Sequence, residues 1–232
     1  MSNCFFMMLS SNKIPADMRF CMLACVFMAS WGMMQLFVVK LVPMDLTWIG
    51  LGVTSFVLSE FLFAITFPIT DVVTEVWGAR RARLIVYGGA LVNLFVMLAL
   101  SLAVALPSPE YWQPQNDAYT LLYAAAPRLW LASITAVVVS QLLDIYVFNV
   151  IRSMTGERML WLRNNGSTLV SQAVDTVIFY MIAFYGLISN EALFSLLVGN
   201  YLLKILLSVL DTPLVYVLVR WARGNDVLEK QN

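Results

Sequence analysis

Residues 20–39 form a run of twenty residues without a charged side chain, flanked by Arg19 and Lys40. A helix of about 20 apolar residues is long enough to cross the hydrocarbon core of a membrane. Of the 232 residues, 61% are hydrophobic and only 12% are charged, and that charged share is about half the share in a soluble domain. The chain is therefore expected to be an integral membrane protein.

Further apolar segments follow, and the sequence predicts an all-α membrane protein with six transmembrane helices. The predicted spans are residues 20–39, 46–67, 84–106, 129–148, 169–188 and 192–219. Pro68 is expected to end the second span, and the polar residues 107–117 are expected to form a loop outside the lipid. Residues 1–19 and 221–232 are then terminal segments, and residues 20–220 are one transmembrane domain.

The basic residues predict the orientation of these helices. If the N-terminus is cytoplasmic, the cytoplasmic segments hold Lys13, Arg19, Arg80, Arg81, Arg83, Arg152, Arg158, Arg163, Arg220, Arg223 and Lys230. The opposite loops hold Lys40 and Arg128, and Lys204 falls inside a span. Cytoplasmic loops carry the excess of basic residues, so we expect both termini in the cytoplasm. The short loops favour the inner membrane of a bacterial cell.

Several charged residues fall inside the predicted spans. They are Glu60, Asp144, Asp175, Lys204 and Asp211. A charged side chain at the bilayer centre costs about 2.5–3.5 kcal/mol on insertion scales. These side chains must therefore face one another, a wet cavity or a ligand.

Polar stripes run along the last three predicted spans, at the intervals of three or four residues that place side chains on one helix face. The stripes are Gln141, Asp144 and Phe148; Thr168, Gln172, Asp175 and Phe179; and Asn200, Lys204, Ser208 and Asp211. Asn149 follows the first stripe. They predict a lined cavity. The alternative is that amides and ion pairs hold the helices together, with Lys204 paired to Asp175 or Asp211.

The segment after Pro68 carries two acids followed by a basic cluster. Asp71 and Glu75 are four residues apart, so both carboxylates project from one face of a short helix, which Gly78 is placed to end. In one interpretation this helix lies at the membrane surface and its acids balance the nearby arginines. In the other, the two acids close the cytoplasmic end of a binding cavity.

Residues 70–83 have the form T-D-x-x-T-E-x-[WY]-G-x-x-x-A-R, which resembles the hallmark of the queuosine precursor transporters, also called the vitamin uptake transporter family. Further matches follow in the same order: Gln141 to Asp144 with Phe148 and Asn149; Ser167 and Thr168 with Gln172, Asp175 and Thr176; and Asn200 and Tyr201 with Lys204. The resemblance covers roughly residues 20–220. It implies import of 7-deazapurines, which are precursors of the tRNA nucleoside queuosine.

The family is similar in architecture to the substrate-binding subunits of energy-coupling-factor importers. Those subunits usually carry an Ala-x-x-x-Ala pattern on the first helix, where they dock to a coupling protein. This chain has a looser series there, Cys21, Cys25 and Ala29. The difference favours action alone or as a homo-oligomer over dependence on a coupling ATPase module.

The chemistry of a 7-deazaguanine suits buried polar residues. Its N1–H and exocyclic amine are parallel donors that one carboxylate accepts together, and its O6 accepts from an amide or an ammonium. Its flat ring packs on an aromatic side chain such as Phe148, Phe179 or Tyr180. We expect substrate-binding residues among Asp71, Glu75, Gln141, Asp144, Asn149, Gln172, Asp175, Asn200 and Lys204.

Other functions fit the sequence less well. The chain has no histidine and a formal net charge of zero, so neither a metal centre, a cofactor nor a nucleic-acid partner is expected. Three alternatives stay open. They are a substrate-binding subunit for another small vitamin-like heterocycle, a membrane enzyme with Asp71 and Glu75 as metal ligands, and an assembly subunit.

Overall fold

The computed structural model describes residues 15–38, 40–47, 52–124, 126–156 and 159–224, and these residues are mainly helical. The elements are α1 Ala16–Phe37, β1 Leu41–Leu46, β2 Gly52–Val57, α2 Glu60–Trp77, α3 Ala79–Ala105, α4 Gln113–Tyr123, α5 Ala126–Thr155, α6 Leu160–Phe184 and α7 Asn190–Arg223. Three of the predicted cytoplasmic residues, Lys13, Arg158 and Lys230, lie outside the described residues.

Within the described residues, five helical segments are long and apolar enough to cross a membrane. They are α1, α3, α4 together with α5, α6, and α7. α2 is more polar, because its 18 residues include Glu60, Asp71 and Glu75. The chain is an all-α membrane protein to which one small β-hairpin is added.

Contacts between helix ends define the arrangement of the bundle. At one end, Arg19 near the start of α1 donates to a main-chain carbonyl near the end of α7. At the same end, Glu75 near the end of α2 pairs with Arg163 near the start of α6. We call this the basic end. At the opposite end, Arg128 near the start of α5 donates to the carbonyl of Tyr185, just past α6.

α3 shows which surface of the bundle suits lipid. Its exposed side chains include Leu84, Tyr87, Leu91, Phe95, Leu98 and Leu102, which follow one helix face. On its buried side, a Cβ at Gly89 would lie 2.6 Å from the Trp31 ring of α1. The glycine therefore lets α1 and α3 pack closely, as small residues do between membrane helices.

The largest apolar core lies where α1, α2, α3 and α7 pack together. Its fully buried side chains include Phe27 and Trp31 of α1, Val72 and Val73 of α2, Val86 of α3 and Val215 of α7. A second core joins α5 to α6 through Trp130, Ala136 and Tyr180, among others.

The prediction that residues 46–67 form one helical span is wrong. The first half belongs to an antiparallel hairpin in which β1 pairs with β2, with Leu41 opposite Val57. α2 begins only at Glu60. Hydropathy marks an apolar segment without distinguishing a buried strand from a helix. The β-branched residues of this segment favour the strand, and its glycines disfavour a helix.

The prediction that Pro68 ends the second span is also wrong, because α2 continues through it to Trp77. Proline removes one helical N–H donor, and nearby hydroxyls compensate in membrane helices.

Asp71 and Glu75 therefore lie on the last turns of a long buried helix and not on a separate surface helix. They are 1% and 5% exposed. Gly78 ends this helix, as the sequence predicts, with a φ of 86° and a ψ of 161°. That combination is open almost only to glycine.

The remaining predicted spans coincide with α1, α3, α5, α6 and α7, although several helices extend further. Residues 107–117 are not wholly a loop, because they contain the 3-10 turn Glu110–Trp112 and α4 begins at Gln113. Polar and proline-rich composition excludes lipid contact but does not exclude a short helix.

The side chain of Asn200 links α7 to the hairpin. Its Oδ1 accepts the N–H of Val57 at 3.3 Å, and its Nδ2 donates to the carbonyl of Ser55 at 3.2 Å. We expect Asn200→Ala to leave these groups unpaired, which costs about 1–3 kcal/mol. The melting temperature of the detergent-purified protein should fall by several degrees. Asn190→Ala, at an exposed position of α7, should leave the melting temperature unchanged. An equal decrease in both variants would contradict the role of Asn200 in linking α7 to the hairpin.

Candidate functional site

One lysine and two acids meet between three helices. Nζ of Lys204 (α7) lies 2.6 Å from Oδ2 of Asp175 (α6) and 3.3 Å from Oε2 of Glu60 (α2), and all three side chains are at most 6% exposed. Ser140 of α5 donates to the other oxygen of Asp175 at 3.0 Å. We call Lys204, Asp175 and Glu60 the Lys204 cluster. With all three ionised it carries one net negative charge, so its carboxylates can accept hydrogen bonds from a ligand.

A pocket of about 330 Å³ borders the Lys204 cluster on the side away from the basic end. Its other lining residues include Gln35, Ser59, Phe63, Ser133 and Phe179. The pocket thus combines carboxylates, an ammonium, an amide, hydroxyls and two aromatic rings.

Gln35 of α1 is held in place at this pocket. Its Nε2 donates to Oδ1 of Asn93 (α3) at 3.0 Å and to Oγ of Ser133 (α5) at 3.1 Å. Its Oε1 receives no hydrogen bond from the described residues. Sequence reasoning missed all three residues. The signal that could have found Gln35 and Asn93 is a lone amide inside each of two uncharged spans.

A second pocket, of about 230 Å³, lies on the other side of the cluster, towards the basic end. Gln172, Ser208 and Asp211 supply polar groups to it. Glu60, Phe63 and Lys204 border both pockets. Because the same side chains separate the two pockets, their movement would join them into one passage along the bundle.

Glu75 is surrounded by arginines at the basic end. Its carboxylate lies 3.0 Å from Arg163 of α6, 2.7 Å from Arg223 of α7 and 3.8 Å from Arg152 of α5. The guanidinium of Arg163 also lies over the ring of Phe148. We call Glu75 and these three arginines the Glu75 network. These ion pairs join the ends of α2, α5, α6 and α7.

Gln141 of α5 lies between the Lys204 cluster and the Glu75 network. Its Oε1 accepts from Thr70 at 2.8 Å, and its Nε2 donates to Thr66 at 3.3 Å. Asp144, one turn further along α5, accepts from Ser171 of α6 at 2.9 Å. These side chains form a fully buried polar layer between α2, α5 and α6.

The structure separates the nine predicted site residues into groups. Gln172, Asp175 and Lys204 border the pockets. Asp71, Glu75, Gln141 and Asp144 lie towards the basic end, whereas Asn149 donates to a carbonyl of its own helix and Asn200 holds the hairpin.

The ion pair predicted between Lys204 and Asp175 is present, and the second acid in contact with the lysine is Glu60. The alternative partner Asp211 instead lies 3.5 Å from Nδ2 of Asn164. Sequence spacing could not find the Glu60 contact, because it joins residues 144 positions apart on two helices.

A bundle of long apolar helices with a charged interior defines the chain as a multi-pass membrane protein. The family model described as "Putative vitamin uptake transporter" matches residues 58–218. The chain belongs to this family, which confirms the resemblance seen in its motifs. It is a transport protein and not an enzyme.

Curated relatives agree with this assignment. The chain is 32% identical over 166 residues to the "Probable queuosine precursor transporter" of Bacillus subtilis, covering 71% of this chain and 72% of that protein. A protein of the same name from Haemophilus influenzae is 31% identical over 53% of this chain and 49% of its own length. The "Queuosine precursor transporter" of Escherichia coli is 29% identical, covering 64% of this chain and 66% of that protein. No solved structure matches this chain.

The stability of the Lys204 cluster should depend on its single cation, the ammonium of Lys204. Lys204→Met leaves two buried carboxylates uncompensated, and breaking a buried pair costs about 3–5 kcal/mol. We expect less protein in the membrane and a lower melting temperature, with partial recovery in the double variant Lys204→Met/Glu60→Gln. Lys40→Met, at an exposed position, is the matched control. Wild-type stability of Lys204→Met would show that the cluster does not need the ammonium.

Proposed function

We propose that the protein imports a queuosine precursor, namely 7-cyano- or 7-aminomethyl-7-deazaguanine or queuine, across the inner membrane of a bacterial cell. The names of the relatives support this substrate class. The observation that carries the proposal is the Lys204 cluster, which places two carboxylates and an ammonium between two internal pockets.

In this proposal the base binds first in the pocket that contains Gln35. A carboxylate of Glu60 or Asp175 accepts N1–H and the exocyclic amine, and the ammonium of Lys204 donates to O6. The rings of Phe63 and Phe179 pack against the heterocycle. The 7-substituent is then free to point along the pocket, where its size selects between precursors.

The passage to the cytoplasm runs through the second pocket, where Gln172 offers an Oε1 that receives no hydrogen bond from the described residues. The Glu75 network closes the route beyond it. Alternating access in transporters opens one side of a central site while the other side is closed. The described arrangement corresponds to a state closed at the basic end.

We propose six membrane crossings, made by α1, α2, α3, α5, α6 and α7, with the basic end in the cytoplasm. α2 has only 18 residues and three acids, but its acids are enclosed by the other helices. The start of α1 and the end of α7 meet at the basic end, which fits an even number of crossings. The arginines gathered there fit the positive-inside rule.

Cysteine labelling tests this orientation. In a variant without the three native cysteines, a cysteine at Tyr111, which is 82% exposed, should react with a membrane-impermeant maleimide in intact cells. A cysteine at Met154, which is 80% exposed near the basic end, should react only after the cells are permeabilised. Labelling of the cysteine at position 154 in intact cells would indicate the opposite orientation in the membrane.

Transport is tested in a strain that cannot synthesise the precursors and lacks its own importer. Expression of this chain should restore queuosine in tRNA when one of the precursors is supplied at low concentration, and mass spectrometry of digested tRNA measures it. Failure with every precursor, in cells whose membranes contain the protein, would contradict the proposed function. Uptake of another labelled heterocycle would then identify a different substrate.

The base-binding carboxylates are tested by amide substitutions. Glu60→Gln and Asp175→Asn each replace an acceptor oxygen with a donor, so that the two N–H groups of the ligand are no longer matched. Leaving a buried donor unpaired costs about 1–3 kcal/mol, and the apparent KM for uptake should rise about ten- to a hundredfold. Glu191→Gln and Asp117→Asn, at exposed positions, are the matched controls. An unchanged KM in both buried variants would remove these acids from the binding site.

A further inference from the structure

Two aspartates face each other in the interior, and neither forms an ion pair with a basic side chain of the described residues. Asp71 of α2 and Asp144 of α5 are 1% and 0% exposed, and their carboxyl groups are close enough to hydrogen-bond. Neither oxygen of Asp71 receives a hydrogen bond from a donor among the described residues, and the same holds for Oδ2 of Asp144. Neither the Lys204 cluster nor the Glu75 network includes this pair.

The charged groups that act most strongly on Asp71 are acids. They are Asp144 of α5, Asp211 of α7 and Glu75 of its own helix. Glu75 is itself engaged by its three arginines. α6 presents Ser167, Thr168 and Ser171 to Asp144. α1 and α3 contribute apolar side chains, including Trp31 and Val86, to the core that holds Val72 and Val73 beside Asp71.

Two adjacent carboxylates in a low-dielectric interior cannot both be ionised without a large electrostatic cost. A proton shared between them removes one charge and supplies the missing donor. A proton also needs no cavity, and neither of the two pockets is lined by Asp71 or Asp144.

We propose that Asp71 and Asp144 form a proton-binding site whose loading and release drive uptake. The inference rests on the proposed function, because it assigns the driving force of the same transporter. In each cycle the pair takes one proton from the outer side, becoming a carboxylic acid beside a carboxylate. It returns to two carboxylates when a conformational change separates the pair or admits water to it, and the proton then leaves on the cytoplasmic side with the substrate.

Buried polar residues of α2 and α5 lie between this pair and the Lys204 cluster. Ser140 donates to Asp175, and its neighbour Gln141 bonds to Thr66 and Thr70. Thr70 directly precedes Asp71 in the chain, and Asp144 follows Gln141 by one turn of α5. A change of charge at the pair therefore acts on α2 and α5, and both helices also contribute residues to the substrate pocket.

Infrared spectroscopy of the purified protein tests the proton without any substrate. The wild type should show the C=O band of a buried carboxylic acid at neutral pH. Asp71→Asn and Asp144→Asn should each lose it, and Asp117→Asn, at an exposed position, should keep it. Absence of the band in the wild type would overturn the inference. So would its persistence in both buried variants.

Proteoliposomes test the coupling. An imposed pH gradient, acidic outside, should drive accumulation of labelled 7-aminomethyl-7-deazaguanine above its external concentration in the wild type and in Asp117→Asn. Asp71→Asn should lose this accumulation yet keep exchange of internal for external substrate, which needs no driving force. Gradient-driven accumulation in Asp71→Asn and Asp144→Asn would overturn the coupling role, as would accumulation driven by a sodium gradient alone.

The two assays separate this inference from the proposed function. A wild type that neither accumulates nor exchanges any deazaguanine contradicts the proposed function, and the infrared band still decides whether the pair holds a proton. A wild type that exchanges the substrate but ignores the pH gradient supports the proposed function and contradicts proton coupling.

Discussion

Ionised groups in a membrane interior need a partner, and this requirement shapes the bundle. Removing a carboxylate from water costs several kcal/mol even after relaxation, so each buried acid must find a cation, a donor or a proton. Glu60 and Asp175 are in contact with Lys204, and Glu75 is in contact with three arginines. Because these contacts join α2 to α5, α6 and α7, the charges fix which helices are neighbours.

α2 is the helix on which this arrangement depends. It carries Glu60, Asp71 and Glu75 at three levels, and apolar residues of α1 and α3 pack against its other side. A helix with this many acids is stable in the membrane only when other helices enclose it. The hairpin directly precedes Glu60, the first residue of α2, which contacts Lys204, and Asn200 joins the hairpin to α7.

The three levels differ in chemistry, and the difference suits a transporter. The level of Glu60 has open pocket volume and mixed donors and acceptors, as a polar ligand needs. The level of Asp71 is closed, and its carboxylates lie beside hydroxyl groups. The level of Glu75 is strongly basic and joins four helix ends.

The sequence by itself determined the membrane class, the family and the approximate place of every long helix except α2, because uncharged runs and the motif of residues 70–83 are local features. It also singled out Asp175 and Lys204, since a charge within an apolar run is conspicuous wherever it lies. Only the tertiary structure decided the partners of those charges. Periodicity reports which face of one helix a residue occupies, and it carries no information on which other helix packs against that face. The hairpin, the path of α2 through Pro68 and the contact of Glu60 with Lys204 all depend on such packing.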